Sequence, residues 1–150
     1  MTKILCVCLG NICRSPMAQG VLQQAAAEVG LDIIVDSAGT AGYHVGEKPD
    51  HRSIAAANKF GLDLSKQRAR KITTSDFEKF DLILVMDAQN LKDVLQIAPS
   101  SKYQAKIKLY RSDLKDVDDP YYGVEKDFIN MYNVLMEHAP FWMNHIQLNS

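Results

Sequence analysis

The sequence predicts an α/β protein built on a parallel sheet. Short apolar runs with little polar content alternate along the chain with segments whose apolar residues recur every three to four positions. Runs of the first kind are typical of strands buried on both faces of a parallel sheet, and the alternation implies right-handed crossovers. We therefore expect a three-layer, flavodoxin-like open sheet of four parallel strands, in the order 2-1-3-4, with helices on both faces.

The first strand and the first helix follow each other closely. Residues 3–7 form a short apolar run that predicts the first strand. Ser15 is placed to cap the next helix at its N-terminus, because Pro16 suits the first helical position, and Gly30 marks the helix end. A short loop thus joins this strand to this helix.

The second strand and helix are separated by a longer loop. Residues 33–35 predict the strand, and residues 50–60 predict the helix. The loop between them, residues 40–49, carries Tyr43 and His44 near its tip. In parallel sheets of this kind, ligands bind beyond the carboxyl ends of the strands, so this loop lies on the side where we expect a site.

The second half of the chain completes the sheet. Ser75 and Glu78 have the spacing of a capping box, and residues 82–86 form the clearest buried strand. Asp87 is placed to cap the helix after that strand, and residues 107–109 predict the fourth strand. The last helix is the longest, and its apolar stripe comprises Phe128, Met131, Tyr132, Leu135, Ala139 and Trp142.

Length and composition exclude several classes of function. The chain has 150 residues, 47% of them hydrophobic, and 17 basic against 18 acidic residues give a net charge of −1. We therefore expect one globular domain over residues 1–150, and no dedicated binder of nucleic acid or anionic membrane. The longest early apolar run, residues 4–9, is too short for a membrane span or a signal peptide, so we expect a cytoplasmic protein. The cysteines fit that compartment as free thiols, and they are Cys6, Cys8 and Cys13.

The loop between the first strand and the first helix carries the chemistry. It reads Cys8-Leu9-Gly10-Asn11-Ile12-Cys13-Arg14-Ser15. A tight loop at a helix N-terminus points backbone N–H groups inward and binds a phosphate dianion, so we name residues 8–15 the phosphate loop. Arg14 adds a planar fork for two phosphate oxygens, and the same positive field favours the thiolate of Cys8. We expect Ser15 to hydrogen-bond that sulfur, while Gly10 and Asn11 tolerate left-handed backbone.

An isolated cysteine beside an arginine is more often a structural thiol in an ordinary turn. Here a cysteine, five further residues, an arginine and a serine stand between a buried strand and a helix that begins with proline. This combination in this structural context favours a phosphate site with a nucleophilic cysteine.

With this loop, the chain closely resembles the low molecular weight protein tyrosine phosphatases, from the first strand to the last helix. Residues 36–40 resemble the end of that family's second strand, and Val45-Gly46 with Pro49-Asp50 resembles the loop that follows. Residues 118–123, which read Asp-Asp-Pro-Tyr-Tyr-Gly, resemble its general-acid loop, and we name them the acid loop.

The resemblance implies a role for each matching residue. Cys8 would be the nucleophile that forms a cysteinyl-phosphate, Arg14 the phosphate clamp, and Asp119 the acid that protonates the leaving phenolate. This chemistry needs no metal and no other cofactor. The residues that would hold the shape of the loop by hydrogen bonds are Asn11, Ser15 and Ser37.

The sequence itself supports Asp119 less strongly than Cys8. The two residues are far apart in the chain, and an Asp-Asp-Pro turn is by default a solvated loop. However, the adjacent carboxylates of Asp118 and Asp119 repel each other, which helps one of them to keep a proton. Tyr121 and Tyr122 offer aromatic surface for a phenyl ring. An acid at this place would contribute about 10²–10⁴ in rate.

The resemblance also implies a substrate cleft. A deep aromatic slot admits phosphotyrosine and leaves phosphoserine too short to reach the thiolate. The matching position in the related arginine phosphatases holds threonine, so Ile12 favours the tyrosine class. Tyr43 and His44 are equally compatible with an exposed loop tip. The expected cleft residues are Leu9, Ile12, Tyr43, His44, Tyr121 and Tyr122.

Two residues leave open questions. Many family members have a histidine in the hydrogen-bond network behind the phosphate loop where this chain has Gln67, so the part that Gln67 plays there is open. The resemblance suggests that Cys13 forms a disulfide with Cys8 that protects the nucleophile from over-oxidation. The alternative is that Cys13 is a buried thiol that fills the loop.

Three other functions fit parts of the pattern. A thiol-dependent arsenate reductase has a similar loop but needs cysteines on a later helix, and this chain has none after Cys13. A cysteine phosphoryl carrier needs no general acid, so the segment around Asp119 argues against that class. A non-catalytic phosphopeptide-binding module would not need both Cys8 and Arg14.

The partners follow from the same resemblance. It implies a phosphotyrosine protein as substrate, and in many bacterial relatives this is a tyrosine kinase of a capsule or exopolysaccharide system. We expect a monomer or a weak dimer, and neither nucleic acid nor membrane as partner. The histidines show no metal-ligand spacing with the cysteines, so we expect no metal site; they are His44, His51, His138 and His145.

Overall fold

Four parallel strands form one sheet in the computed structural model, which describes residues 1–149. The strands are β1 (Thr2–Cys8), β2 (Ile33–Gly39), β3 (Leu82–Val85) and β4 (Ile107–Leu109). Their order in the sheet is β2-β1-β3-β4, which confirms the predicted topology. Ser150, the last residue of the predicted domain, lies outside the described residues.

Helices cover both faces of this sheet. They are α1 (Arg14–Glu28), α2 (His51–Lys59), α3 (Asp76–Lys79), α4 (Ala88–Ile97) and α5 (Glu125–Leu148), with a 3₁₀ turn at Ser101–Lys106. Side chains of β1 alternate between two cores, because Ile4 and Cys6 pack with α1, α2 and α5, whereas Leu5 and Val7 pack with α3 and α4. Three layers result, as predicted. In residues 1–149, no helix is long and apolar enough to cross a membrane.

The start of α1 differs from the prediction. Ser15 is not the N-cap, because the helix begins at Arg14 and Cys13 occupies the cap position without a capping side-chain bond. The Ser15 hydroxyl instead lies 3.0 Å from the Cys8 sulfur and accepts a hydrogen bond from Asn11. Its side chain therefore serves the phosphate loop and not the helix end.

The capping box predicted at Ser75 is also wrong. The Ser75 side chain makes no capping bond to α3, which is a single turn. Glu78 cannot reach back to complete the box, since its carboxylate accepts from the Tyr103 hydroxyl at 2.7 Å. By contrast, Asp50 and Asp87 cap α2 and α4 with their carboxylates, and the cap at Asp87 was predicted.

Candidate active site

The phosphate loop begins where β1 ends, and it extends the pairing of β1 with β2. Cys8 pairs with Gly39, and beyond that pair Thr40 N donates to Cys8 O at 2.9 Å and Ala41 N donates to Leu9 O at 3.0 Å. A Cβ at Gly39 would lie 2.7 Å from Leu9 O, so this close approach of two backbones requires glycine. The sheet therefore fixes the backbone position of Cys8 and of the residue that follows it.

Asn11 holds the loop from within. Its backbone has φ of 58°, a left-handed conformation that asparagine tolerates better than most residues. Its Nδ2 donates to Ser15 Oγ at 2.8 Å and to Ser37 Oγ at 2.9 Å, and its Oδ1 accepts from Arg70 N at 3.0 Å. The structure thus brings together the three residues expected to shape the loop, and it adds a fourth partner from a distant segment.

The three thiols are free and buried, in different surroundings. The Cys8 sulfur lies 3.0 Å from Ser15 Oγ. Burial above all, together with the nearby carboxylate of Asp50, raises the pKa of Cys13 to about 12, so Cys13 is protonated at neutral pH. Burial within the sheet raises the pKa of Cys6 as well.

Arg14 is a buried cation with two fixed partners. Its side chain is 4% exposed, and its Nη1 donates to Asp87 Oδ2 at 2.6 Å and to Val117 O at 3.1 Å. Its Nη2 lies 3.6 Å from Asp119 Oδ2. Burial opposes the charge, but the pKa of Arg14 is raised by Cys8, Asp87 and Asp119. The guanidinium is therefore charged and held in one orientation.

A second arginine, Arg70, lies half-buried behind the loop. Arg70 donates through Nη2 to Asp36 at 3.0 Å and through Nη1 to Asp76 at 3.0 Å, and its backbone N–H is the one that binds Asn11. Burial works against ionisation of Asp76, but hydrogen bonds from Arg70 and Thr73 lower its pKa overall. This ion pair joins the end of β2 to α3 and fixes the backbone that supports Asn11.

Gln67 lies behind the loop but does not bond to it. Its Nε2 donates to Pro16 O at 3.1 Å, in the first turn of α1. Its Oε1 is buried and has no hydrogen-bond partner within residues 1–149. Gln67 therefore contacts the helix that follows the phosphate loop, whereas Asn11 makes the hydrogen bonds that hold the loop itself.

One cavity of about 240 Å³ joins the phosphate loop to the acid loop. All the predicted catalytic and cleft residues line it, whereas Asn11, Ser15 and Ser37 lie outside its wall. Tyr43 lines the cavity and is also 76% exposed, so it is both a wall of the cleft and part of an exposed loop tip. The lining comprises Cys8, Leu9, Gly10, Ile12, Cys13, Arg14, Tyr43, His44, Asp119, Tyr121 and Tyr122.

Asp119 lies across this cavity from the thiol. Its Oδ1 accepts from Tyr121 N at 3.1 Å, and its side chain is 44% exposed. Tyr121 and Tyr122 meet edge to face with their ring centroids 5.0 Å apart, beside the acid. Within residues 1–149, no three His, Cys, Asp or Glu side chains are grouped as metal ligands would be.

Known proteins resemble this chain over nearly its whole length. The family model described as low molecular weight phosphotyrosine protein phosphatase matches residues 3–150. The chain belongs to this family. The Schizosaccharomyces pombe low molecular weight phosphotyrosine protein phosphatase is 40% identical over 157 aligned residues, which cover 97% of this chain and 99% of the relative. The resemblance inferred from the sequence is thereby confirmed, and so is the class of protein tyrosine phosphatase.

Solved structures agree with this assignment. A protein tyrosine phosphatase from Entamoeba histolytica superposes with a TM-score of 0.90 at 35% identity, over 99% of this chain and 97% of the other. Vibrio vulnificus Wzb in complex with benzylphosphonate superposes with a TM-score of 0.87 at 32% identity, over 96% of this chain and 98% of the other.

The sequence did not identify every residue that shapes the site of this phosphatase. Asp87 was predicted only as a helix cap, yet its second oxygen holds Arg14. Gly39 and Arg70 support the loop backbone and were not singled out. A glycine directly after a predicted strand was a usable signal, but nothing in the pattern pairs residue 14 with residue 87.

Proposed function

We propose that this phosphatase hydrolyses phosphotyrosine and other aryl phosphates in two steps on Cys8. The observation that carries the proposal is that Cys8, Arg14 and Asp119 line one cavity. In the first step the Cys8 thiolate forms a bond to phosphorus, the phosphorus–oxygen bond to the aryl group breaks, and Asp119 protonates the departing oxygen. In the second step Asp119 takes a proton from water, which attacks phosphorus and releases inorganic phosphate and the thiolate.

The thiolate receives support from Ser15. Because Ser15 Oγ accepts from Asn11 Nδ2 at 2.8 Å, its own O–H remains to donate to the Cys8 sulfur at 3.0 Å. Such a bond favours the charged form of the sulfur, as does the N-terminus of α1. We propose that Ser15 keeps Cys8 ready for attack and stabilises it again when it leaves phosphorus.

The phosphoryl group would be held by Arg14 and the loop amides. Asp87 and Val117 occupy Nη1 of Arg14, so Nε and Nη2 form the edge of the guanidinium that is left for two phosphate oxygens. Backbone N–H groups of residues 9–15 would bind the remaining oxygens. Both sets of donors are preorganised, since the loop is fixed by Asn11 before substrate arrives.

The cavity walls favour an aromatic substrate. Leu9 and Ile12 of the phosphate loop line the same cavity as Tyr121 and Tyr122 of the acid loop. The Vibrio vulnificus relative holds benzylphosphonate, in which an aromatic ring adjoins a phosphonate. These observations support phosphotyrosine, and we propose a cytoplasmic phosphoprotein as the partner. For a bacterial host, the tyrosine kinase of a polysaccharide system is the candidate that the family resemblance implies.

The test is hydrolysis of p-nitrophenyl phosphate against pH without added metal. We expect Cys8→Ser to abolish turnover, and Asp119→Ala to lower it by about 10²-fold and to flatten the basic side of the pH profile, because a general acid contributes about 10²–10⁴. Asp32→Ala is the matched control, since Asp32 is an exposed carboxylate that lies outside the acid loop and does not line the cavity. It should retain the wild-type profile.

Two results would contradict the proposal. Turnover that survives Cys8→Ser would exclude a cysteinyl-phosphate. A folded wild-type protein that turns over no aryl phosphate would favour the phosphoryl carrier, and phosphate transfer from Cys8 to a candidate partner would then be measured.

A further inference from the structure

We propose that Arg52 is a positioning residue for the reaction: it ties the acid loop to the phosphate loop and thereby sets where Asp119 stands. This inference rests on the function proposed above. Arg52 does not line the cavity, and it lies in the first turn of α2, between the two loops.

On one side, Arg52 is anchored to the phosphate loop through Asp50. The backbone N–H of Asp50 donates to Ile12 O at 2.8 Å. The Asp50 carboxylate, 9% exposed, accepts from Arg52 Nε at 3.0 Å and from Arg52 Nη2 at 2.9 Å. This two-pronged pair fixes the plane of the guanidinium relative to the phosphate loop.

On the other side, Arg52 holds the backbone of the acid loop. Its Nη2 donates to Tyr121 O at 2.9 Å and its Nη1 donates to Gly123 O at 3.4 Å. The guanidinium also lies 4.6 Å from the centroid of the Phe128 ring and 5.6 Å from that of Tyr121. Two carbonyls and two rings therefore share one cation.

The connection to the acid runs through Tyr121. The carbonyl of Tyr121 is bound by Arg52, and its amide N–H donates to Asp119 Oδ1 at 3.1 Å. Because Asp119 is half-exposed, this amide and the more distant Arg14 Nη2 are the groups that restrain its carboxylate. A shift of the Tyr121 backbone would therefore move the acid relative to the leaving oxygen.

The chemistry of arginine suits this place. The pair with Asp50 is charged at the pH of catalysis, because burial of Asp50 is outweighed by hydrogen bonds from Arg52 that lower the pKa of the carboxyl. A lysine would bring a single ammonium that cannot bind a carboxylate on one edge and a carbonyl on another in one plane. The pair therefore acts as a rigid bracket between the two loops.

The test uses two substrates that differ in their need for an acid. Phenolate leaves less readily than p-nitrophenolate, so phenyl phosphate depends more on Asp119. We expect Arg52→Gln to lower kcat/KM for phenyl phosphate by about 10-fold, a part of the 10²–10⁴ that a general acid contributes, and to affect p-nitrophenyl phosphate less. In an Asp119→Ala background the same substitution should cause no further loss, because the two residues act as a unit.

Arg52→Lys guards against misfolding of the first variant, since it keeps the charge and the alkyl stem over Phe128. It should show the same selective loss on phenyl phosphate. Arg68→Gln is the matched control, because Arg68 is exposed and donates to carbonyls of its own turn, those of Ser65 and Gln67. It should leave kcat/KM unchanged for both substrates.

The proposal is overturned if Arg52→Gln and Arg52→Lys lower kcat/KM equally for both substrates, or if Arg52→Gln causes a further loss in the Asp119→Ala background. Either result would make Arg52 a residue of general structural importance only. The Asp119→Ala variant alone tests the proposed function: if it retains full activity on phenyl phosphate, then the acid role fails first, and the positioning role fails with it.

Discussion

The guanidinium of Arg14 donates to the carboxylate of Asp87 across 2.6 Å, although the two residues stand 73 positions apart. The other oxygen of that carboxylate accepts from Asn90 N at 2.7 Å and caps α4. The Asp87 side chain thus orients the Arg14 guanidinium and caps a helix. The two tasks use different oxygens, so substitutions can separate them.

We predict that Asp87→Ser weakens phosphate binding while it keeps the helix cap. Serine caps helices well but is too short to reach Arg14, whereas Asp87→Ala loses both contacts. Both variants should raise the inhibition constant of inorganic phosphate by about 10-fold, which corresponds to about 1.4 kcal/mol. Asp87→Ala should unfold at a lower urea concentration than Asp87→Ser, because its free energy of unfolding should be about 1 kcal/mol smaller. Normal phosphate inhibition in Asp87→Ser would show that Val117 alone suffices to orient Arg14.

The network around Asn11 predicts a graded loss of stability. Asn11→Gly preserves the left-handed backbone but removes three hydrogen bonds, so we expect a cost of about 2–3 kcal/mol at about 1 kcal/mol for each bond. Ser37→Ala removes one of them and should cost about 1 kcal/mol. Urea unfolding measures both values. Equal costs would mean that the bond to Ser37 alone carries the network.

Cys13 provides a prediction about oxidation. We expect peroxide to convert the Cys8 thiolate to a sulfenic acid, which the Cys13 sulfur then attacks, so that a disulfide forms and water leaves. Dithiothreitol should restore activity to the wild type and not to Cys13→Ser, in which over-oxidation proceeds. Because burial raises the pKa of Cys13 to about 12, disulfide formation should accelerate as the pH rises towards that value.

Cys6→Ser is the control for this experiment, since Cys6 is buried in the sheet and lies outside the cavity. It should recover with dithiothreitol as the wild type does. Full recovery of Cys13→Ser would refute the protective role and leave Cys13 as a thiol that fills the loop.

The ion pair of Asp76 with Arg70 predicts a dependence of stability on acid. Hydrogen bonds from Arg70 and Thr73 hold the pKa of Asp76 below its unfolded value of 3.8, against the effect of burial. A carboxyl with a lowered folded pKa stabilises the fold above its unfolded pKa and loses that contribution as the pH falls through the folded pKa. Asp76→Asn should therefore unfold at lower urea than the wild type at pH 7, with a smaller difference near pH 3. A difference that stays constant with pH would contradict an electrostatic origin.

The sequence predicted the strands and the loop between β1 and α1 because both depend on local patterns, and the sheet order then followed from the rules for crossovers in parallel sheets. Residues 82–86 are apolar throughout, and a cysteine, an arginine and a serine stand where a strand gives way to a helix. These patterns act within a few residues, so they are visible without the fold. The family resemblance supplied the distant acid loop, which no local pattern would have joined to Cys8.

Contacts between distant segments could not be predicted in the same way. The capping prediction at Ser15 failed because α1 begins one residue earlier and the Ser15 hydroxyl contacts Cys8 and Asn11, which lie beside it only once the loop has folded. The pairings of Arg14 with Asp87 and of Arg52 with the acid loop depend on how the crossovers bring loop ends together. Such distances follow from three-dimensional packing and leave no periodic signal.

The backbone pairing that continues past β1 has a consequence for the catalytic cycle. Cys8 O and Leu9 O accept hydrogen bonds from the segment after β2, so Cys8 is part of the sheet and moves with it. The carboxylate of Asp119, in contrast, stands on a half-exposed loop. On the proposed function, any opening that admits a phosphotyrosine or releases phosphate therefore involves the Asp119 side of the cavity, within the limits that Arg52 sets, while the Cys8 thiol stays in place through every turnover.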